Sequence, residues 1–165
     1  MVYDPWLMSI DVRASVRIAR PRAEVFAAAA GKTENLVRYF TGYAPLIPGI
    51  AAASLRGVGT PGAGVLRDVK LSDGTAIVER ITAFDAPSLH AYDMAEMNSL
   101  QRLLCTNMES RWRFEDEGEG TRVTWDYRIL PRSVLHVPLA WVTGRLFERA
   151  MQRCLDALAR DLSPA

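Results

Sequence analysis

Among the 165 residues, few side chains have types suited to chemistry, and spacing narrows them further. Arg67 and Glu79 stand on either side of the turn Ser72-Asp73-Gly74. A three-residue hairpin commonly sets a type I turn before a residue in the left-handed region, which glycine adopts without steric cost. With Leu71 and Thr75 flanking that loop, Val69 faces Ile77, Arg67 faces Glu79 and Val65 faces Ile81. Side chains alternate along strands, so all of these share one side of a sheet. The opposite side carries Leu66, Asp68, Lys70, Val78 and Arg80, a more polar set. The apolar side therefore holds one ion pair. Burying two charges is costly, so such a pair needs full hydrogen bonding or a wet cavity. In a cavity Arg67 would polarise a carbonyl or steady an enolate, and Glu79 would move a proton. The alternatives are a purely structural bridge, or a two-residue turn that shifts the register and separates the pair.

His90 is the other candidate for proton transfer, because histidine is the commonest general acid–base group. It shares a strand face with Tyr92 and Met94. A satisfied or surface strand histidine is the structural alternative. His136 precedes Pro138 in a loop and is expected at solvent or a pocket mouth. In the last hairpin Met108, Ser110, Trp112 and Phe114 alternate with charged or polar residues, and Val123, Trp125, Tyr127 and Ile129 do so on the returning strand. Trp112, Trp125, Tyr127 and Ser110 are thus expected on one inner face, either as plain core or as a platform for a ligand's rings. Tyr92 and Tyr127 would orient oxygen atoms, since a buried phenol normally seeks a partner.

Other signals fail on context. Gly57-x-Gly59-x-x-Gly62 fits a dinucleotide fingerprint literally, but Pro61 and a strand follow where a helix must start. A loop over a pocket is the expectation. No His/Cys/carboxylate group has metal-ligand spacing and no nucleophile elbow occurs, so neither a metal nor a cofactor is expected. Cys105 is placed on the outer face of its strand and Cys154 on a buried helical stripe.

The elements that must position these groups follow from periodicity. Residues 10–18 alternate strictly, a half-buried strand. Pro21 opens a helix over 22–30, and Thr33 can cap a second short one with Leu36, Val37 and Phe40 at helical spacing. After a Pro- and Gly-rich stretch with a short strand near 50–56, strands are expected at 64–71, 75–84, 88–95, 103–115 and 121–130. One long amphipathic helix spans about 138–162, small at its start (Ala140, Thr143, Gly144) and bulky later (Phe147, Met151, Leu158). Small residues facing large aromatics leave volume, sealed toward the helix C-terminus and open toward its N-terminus. Consecutive strands pair antiparallel, and the segregated helix must cover their apolar face, giving an α+β fold.

Composition agrees. Apolar residues make up 49% and charged residues 24%, and the formal charge of +1 argues against nucleic acid as a partner. No stretch has the length of an apolar membrane span, and Met1–Trp6 lacks the layout of a signal peptide, so a cytoplasmic protein without membrane insertion is expected. The apolar stretches 43–55 and 134–141 are expected at the mouth, where they suit ligand access, dimerisation, transient membrane contact or ordinary loop packing.

In this order of elements the chain resembles the START/Bet v 1-type helix-grip superfamily, in its polyketide cyclase/dehydrase and lipid-transport branch. The resemblance covers about residues 10–162. It rests on Val16-Arg-Ile-Ala-Arg-Pro-Arg-Ala-Glu-Val-Phe26, on Gly64-Val-Leu-Arg67 with Leu71-Ser-Asp-Gly74, on Glu79-Arg-Ile-Thr-Ala-Phe-Asp-Ala-Pro87, on Leu89-His-Ala-Tyr92 and on Gly120-Thr-Arg-Val-Thr-Trp125. It implies a helix-grip fold in one domain over 1–165: a curved antiparallel sheet of six to seven strands wrapped on a long C-terminal helix, with two short helices after the first strand. It further implies a hydrophobic small-molecule ligand between sheet and helix. Met108, Ser110, Trp112, Trp125, Tyr127, Tyr92, Thr143, Gly144 and Phe147 would contact that ligand. Cyclase- or dehydratase-type chemistry through Arg67, Glu79 and His90 is one outcome. A lipid or quinone carrier, or a chaperone-activator-like interaction module, is another. The chain would act as a monomer or homodimer. The segment from Leu89 to Tyr92 is one residue longer than the family's, which suggests a bulge and leaves open whether His90 or Tyr92 points inward.

Overall fold

The alternation at the start of the chain produces strand β1 (Ile10–Ile18), with Ile10, Val12, Ala14 and Ile18 buried. The structure is a computed structural model that describes residues 8–57 and 59–163; the Met1–Trp6 segment considered above lies outside them. Helix α1 (Arg22–Ala29) follows, with Pro21 at its N-cap position and Val25, Phe26 and Ala29 buried. Helix α2 (Asn35–Tyr39) starts from Glu34 without a side-chain cap, so Thr33 does not play the capping role its type suggests and is itself buried.

Four strands come next, β2 (Ile50–Leu55), β3 (Leu66–Leu71), β4 (Ala76–Asp85) and β5 (Leu89–Glu96). A third short helix, α3 (Ser99–Leu104), precedes β6 (Cys105–Glu117) and β7 (Gly120–Pro131). A 3-10 turn (Val134–His136) leads into the long helix α4 (Val137–Asp161). The seven strands form one antiparallel sheet in the order β1-β7-β6-β5-β4-β3-β2.

Helix α3 occupies residues that strand periodicity alone assigned partly to β6. Its start is a capping box: Gln101 N donates to Asn98 Oδ1 at 2.9 Å, and Asn98 N donates to Gln101 Oε1 at 3.1 Å. None of its six residues is buried, so it leaves no apolar periodicity to read.

Helix α4 packs on β1 and β7, and at Gly144 the missing side chain lets the backbone come close to both strands. A Cβ there would lie 3.1 Å from Ile10 Cγ2 and 3.4 Å from Ile129 Cδ1. In the C-terminal half of α4, Met151, Cys154, Leu155 and Leu158 are sealed in core. Beside the Gly144 contact, Ala140, Thr143 and Phe147 of its N-terminal half overlie a space above the sheet where the candidate residues converge.

Candidate functional site

The turn between β3 and β4 sets the geometry of the ion pair. Gly74 has φ 86°, in the left-handed region that a glycine tolerates. Leu71 N donates to Thr75 O at 2.8 Å, and Asp73 Oδ1 accepts from Thr75 N and Oγ1 at 2.9 and 2.7 Å. The register that follows pairs Val69 with Ile77 and Arg67 with Glu79. Both charged groups are buried, at 3% and 4% exposure. Arg67 Nε donates to Glu79 Oε2 at 2.7 Å, and Nη2 contacts the same oxygen. The guanidinium also lies over the Tyr92 ring, 4.9 Å from its centroid, a cation–π contact that burial of both groups strengthens.

Glu79 lines a cavity of about 200 Å³. Its floor is the sheet, through Val69, Leu71, Ile77, Glu79, Tyr92, Met94, Met108, Trp125, Tyr127 and Ile129. Ala140, Thr143 and Phe147 of α4 form the roof. Leu36, Phe40 and Ile47 close one flank, and Leu100, Gln101 and Leu104 of α3 close the other. Glu79 is the buried charged group of this lining; Asp73, also bordering it, is exposed at the rim. The phenols of Tyr92 and Tyr127 are held neutral. Burial raises both pKa values first, and the Glu79 charge adds to each. Neutral phenols beside a carboxylate are donors available to an oxygen-bearing ligand.

Trp125 forms part of the wall and is itself held from behind. It stacks on Trp112 at 4.1 Å, and its Nε1 donates to Ser110 Oγ at 2.8 Å. Phe40 and Phe147 meet it edge-on or nearly so, and Phe147 also sits 4.5 Å from the Tyr127 ring. Of the residues expected at the site, Glu79, Tyr92, Met108, Trp125, Tyr127, Thr143 and Phe147 reach the cavity. Arg67, His90, Ser110, Trp112 and Gly144 stand outside its lining. Alternation gives the side a residue faces, but not whether a bulkier neighbour covers it.

His90 shows this most clearly. It and Tyr92 both point inward, because β5 pairs with β6 without interruption from Leu89↔Arg113 to Asp93↔Glu109. The irregularities lie instead in the β4–β5 pairing, at Thr82 between Ile81 and Ala83 and at Ala95 beyond Met94. The His90 ring packs 5.5 Å from both Phe84 and Tyr92, and neither ring nitrogen has a hydrogen-bond partner among the described residues. Burial, helped by the Arg67 charge, pulls its pKa down to about 3. It is a neutral imidazole walled off behind Tyr92.

Cys105 is a correction. It is buried and lines the cavity, although alternation assigns it to the outer face. An extra residue, Thr106, enters the β6–β7 pairing between Cys105↔Pro131 and Asn107↔Leu130, and this reverses the parity of Cys105 relative to Met108. Burial pushes its thiol up to about 11, so it is no nucleophile. Leu100, Gln101 and Leu104 escaped sequence reading with the rest of α3; the Asn98-x-x-Gln101 spacing was the available signal. His136 is half-buried beside the mouth, with its Nδ1 2.8 Å from Ser133 Oγ. A wider hollow of about 720 Å³ on the outer sheet face is lined by charges that satisfy one another, such as Arg13–Asp126, Arg113–Asp126 and Arg128–Asp11. Its lining describes a solvated face. No described helix is long and apolar enough to cross a membrane.

Solved structures share this architecture at low sequence identity. Major latex-like protein 151 from Panax ginseng superposes with a TM-score of 0.71 at 10% identity, covering 95% of this chain and 99% of that one. XoxI from Bacillus cereus gives 0.69 at 19%, over 92% and 94%. Ara h 8.0201 gives 0.67 at 14%, over 93% and 97%. No curated protein is significantly similar in sequence. These likenesses carry the Bet v 1-like helix-grip fold. The family model described as polyketide cyclase / dehydrase and lipid transport matches residues 9–163, nearly the whole of the chain, and the protein belongs to that family.

Proposed function

We propose that this protein binds an apolar or aromatic molecule of one or two rings beneath α4, with the Glu79 carboxylate meeting a hydroxyl or similar donor on that molecule. The observation that carries this reading is a single buried carboxylate reaching an otherwise largely apolar chamber. Size sets the class of occupant. The chamber of about 200 Å³ exceeds the ~150 Å³ apolar cavity known to admit benzene, yet falls short of the ~300–1,000 Å³ typical of sites for drug-sized ligands. A four-ring polyketide or an extended lipid would need the rim to open; a naphthalene-sized ring system would not.

Arg67 serves by holding Glu79. With both guanidinium contacts on Oε2, the carboxylate is fixed in place while its edge faces the chamber. Tyr92 and Tyr127, as neutral phenols, orient a carbonyl or hydroxyl, and Trp125 supplies a rigid wall for a ring. This set is also sufficient for proton abstraction next to a carbonyl, the elementary step of a cyclising or dehydrating reaction, with Glu79 as base. His90 has no part in it, since Tyr92 stands between its ring and the chamber.

Native mass spectrometry of freshly purified protein tests the reading, followed by calorimetric titration with 2-naphthol. One equivalent should bind the natural chain, and Glu79→Gln should weaken 2-naphthol more than naphthalene. Equal weakening of both, or no binding of either, would remove Glu79 or the chamber from the account.

A further inference from the structure

We infer that the pole of the molecule around the chamber's mouth docks on an anionic lipid surface, and that the apolar ligand passes to and from that surface. The passage of ligand rests on the chamber reading above; the docking does not. Among the described residues, the exposed large apolar side chains all fall in three segments. Leu46 is in the loop after α2, Leu100 and Leu103 are on α3, and the rest run from Val134 to Val142 at the start of α4. Leu135 is 86% exposed and Trp141 55%. The same three segments border the chamber, through Leu46, Leu100, Ala140 and Thr143. Two of them are tied together, because Arg132 N donates to Leu104 O at 3.0 Å and Arg132 Nε to Arg102 O at 2.8 Å. Soluble monomers rarely leave so much apolar surface at one pole without a use for it.

Charge selects the partner. The chain as a whole is nearly balanced, with 20 basic against 19 acidic residues. Residues 40–49, 97–106 and 130–147 contain no carboxylate at all, yet they hold Arg102, Arg132 and Arg145. Arg145 is shared with Glu148, whereas Arg102 and Arg132 have no ion-pair partner among the described residues. Asp73, the rim carboxylate on the β3–β4 side, is engaged by Thr75. Exposed leucines and a tryptophan, with two arginines beside them that have no carboxylate partner among the described residues, match a bilayer interface, where aromatic rings sit at headgroup level and cations meet anionic headgroups. A second copy of this chain docking through the same three segments would bring further arginines and no carboxylate to meet them.

Co-sedimentation with vesicles of phosphatidylcholine, with and without phosphatidylglycerol, tests the inference. The natural protein should pellet with the anionic vesicles, and less so as salt rises. Leu103→Ser/Leu135→Ser should abolish pelleting, and Arg102→Glu should reduce it at least fivefold, the change expected from one arginine at such a surface. These positions are exposed, so 2-naphthol binding without vesicles should survive in each variant. Trp141 fluorescence should be quenched more by lipids brominated near the headgroup end of their chains than by lipids brominated near the chain terminus. Absence of pelleting, or pelleting unchanged in the variants, would overturn the inference. So would a dimer in sedimentation velocity that the double variant breaks without any vesicle binding, which would make the rim an interface between copies. Pelleting without 2-naphthol binding would leave the docking surface standing and sink the chamber reading instead.

Discussion

Acidification from pH 7 to pH 5 should destabilise this protein through His90. The imidazole is 3% exposed, packed on Phe84 and Tyr92, with no acceptor for a proton and the Arg67 charge nearby. Its pKa falls from 6.5 to about 3 on folding. A histidine depressed in this way is neutral in the folded protein while the unfolded chain takes up a proton below pH 6.5. Stability is therefore full above that value and is lost as pH falls toward 3. Integrating the difference in bound protons, the loss between pH 7 and pH 5 is about 2 kcal/mol. With a urea slope of ~2 kcal/mol/M, the unfolding midpoint should drop by about 1 M over that range. His90→Gln, uncharged at every pH, should be less stable than the natural chain at pH 7 and should lack most of this dependence. Urea titrations of both proteins at several pH values give the answer. Parallel pH profiles for the two would refute the assignment of His90 as a walled-off neutral ring.

Other outcomes follow from the same packing. Arg67→Met leaves the Glu79 carboxylate buried without its cation and should cost ~3–5 kcal/mol, whereas Arg67→Met/Glu79→Leu should recover most of that in chemical denaturation, because the removed pair no longer needs compensation. Tyr39 holds α2 to the end of α4 by donating to Asp161 Oδ2 at 2.7 Å, and burial with that bond pushes its phenol up to about 12. Tyr39→Phe should cost ~1.5–3 kcal/mol, the range for a bond to a charged acceptor, and amide exchange should show the last turn of α4 loosened.

The sequence and the structure agree where a local rule fixes a global fact. Of the two registers that the Ser72-Asp73-Gly74 turn left open, the three-residue loop is the one formed, and it sets Arg67 opposite Glu79 as its chemistry suggested. Strict alternation in 10–18 and the long amphipathic stripe of α4 likewise carry over, as does the tapering of α4 that leaves space under Thr143 and Phe147. Depth along a face was not legible. His90, Ser110 and Trp112 point the expected way but lie behind Tyr92 and Trp125, and only packing decides which ring is in front. Parity failed at Cys105 because a bulge at Thr106 leaves no mark in residue type. Helix α3 went unread because its stability comes from a cap and its apolar side chains lie on the surface, so neither periodicity nor burial announces it.

If the space under α4 is a receptacle and not a packing defect, a side chain that fills it must displace the ligand. Calorimetric titration of 2-naphthol into the natural chain and into Thr143→Phe tests this, since Thr143 lines the roof and a phenylalanine there would fill part of the chamber. One equivalent bound by the natural protein and none by the variant, with the variant at least as resistant to urea, is the predicted result. Equal binding by both would place the ligand elsewhere, and a destabilised variant would mean that the space beneath the helix was already filled.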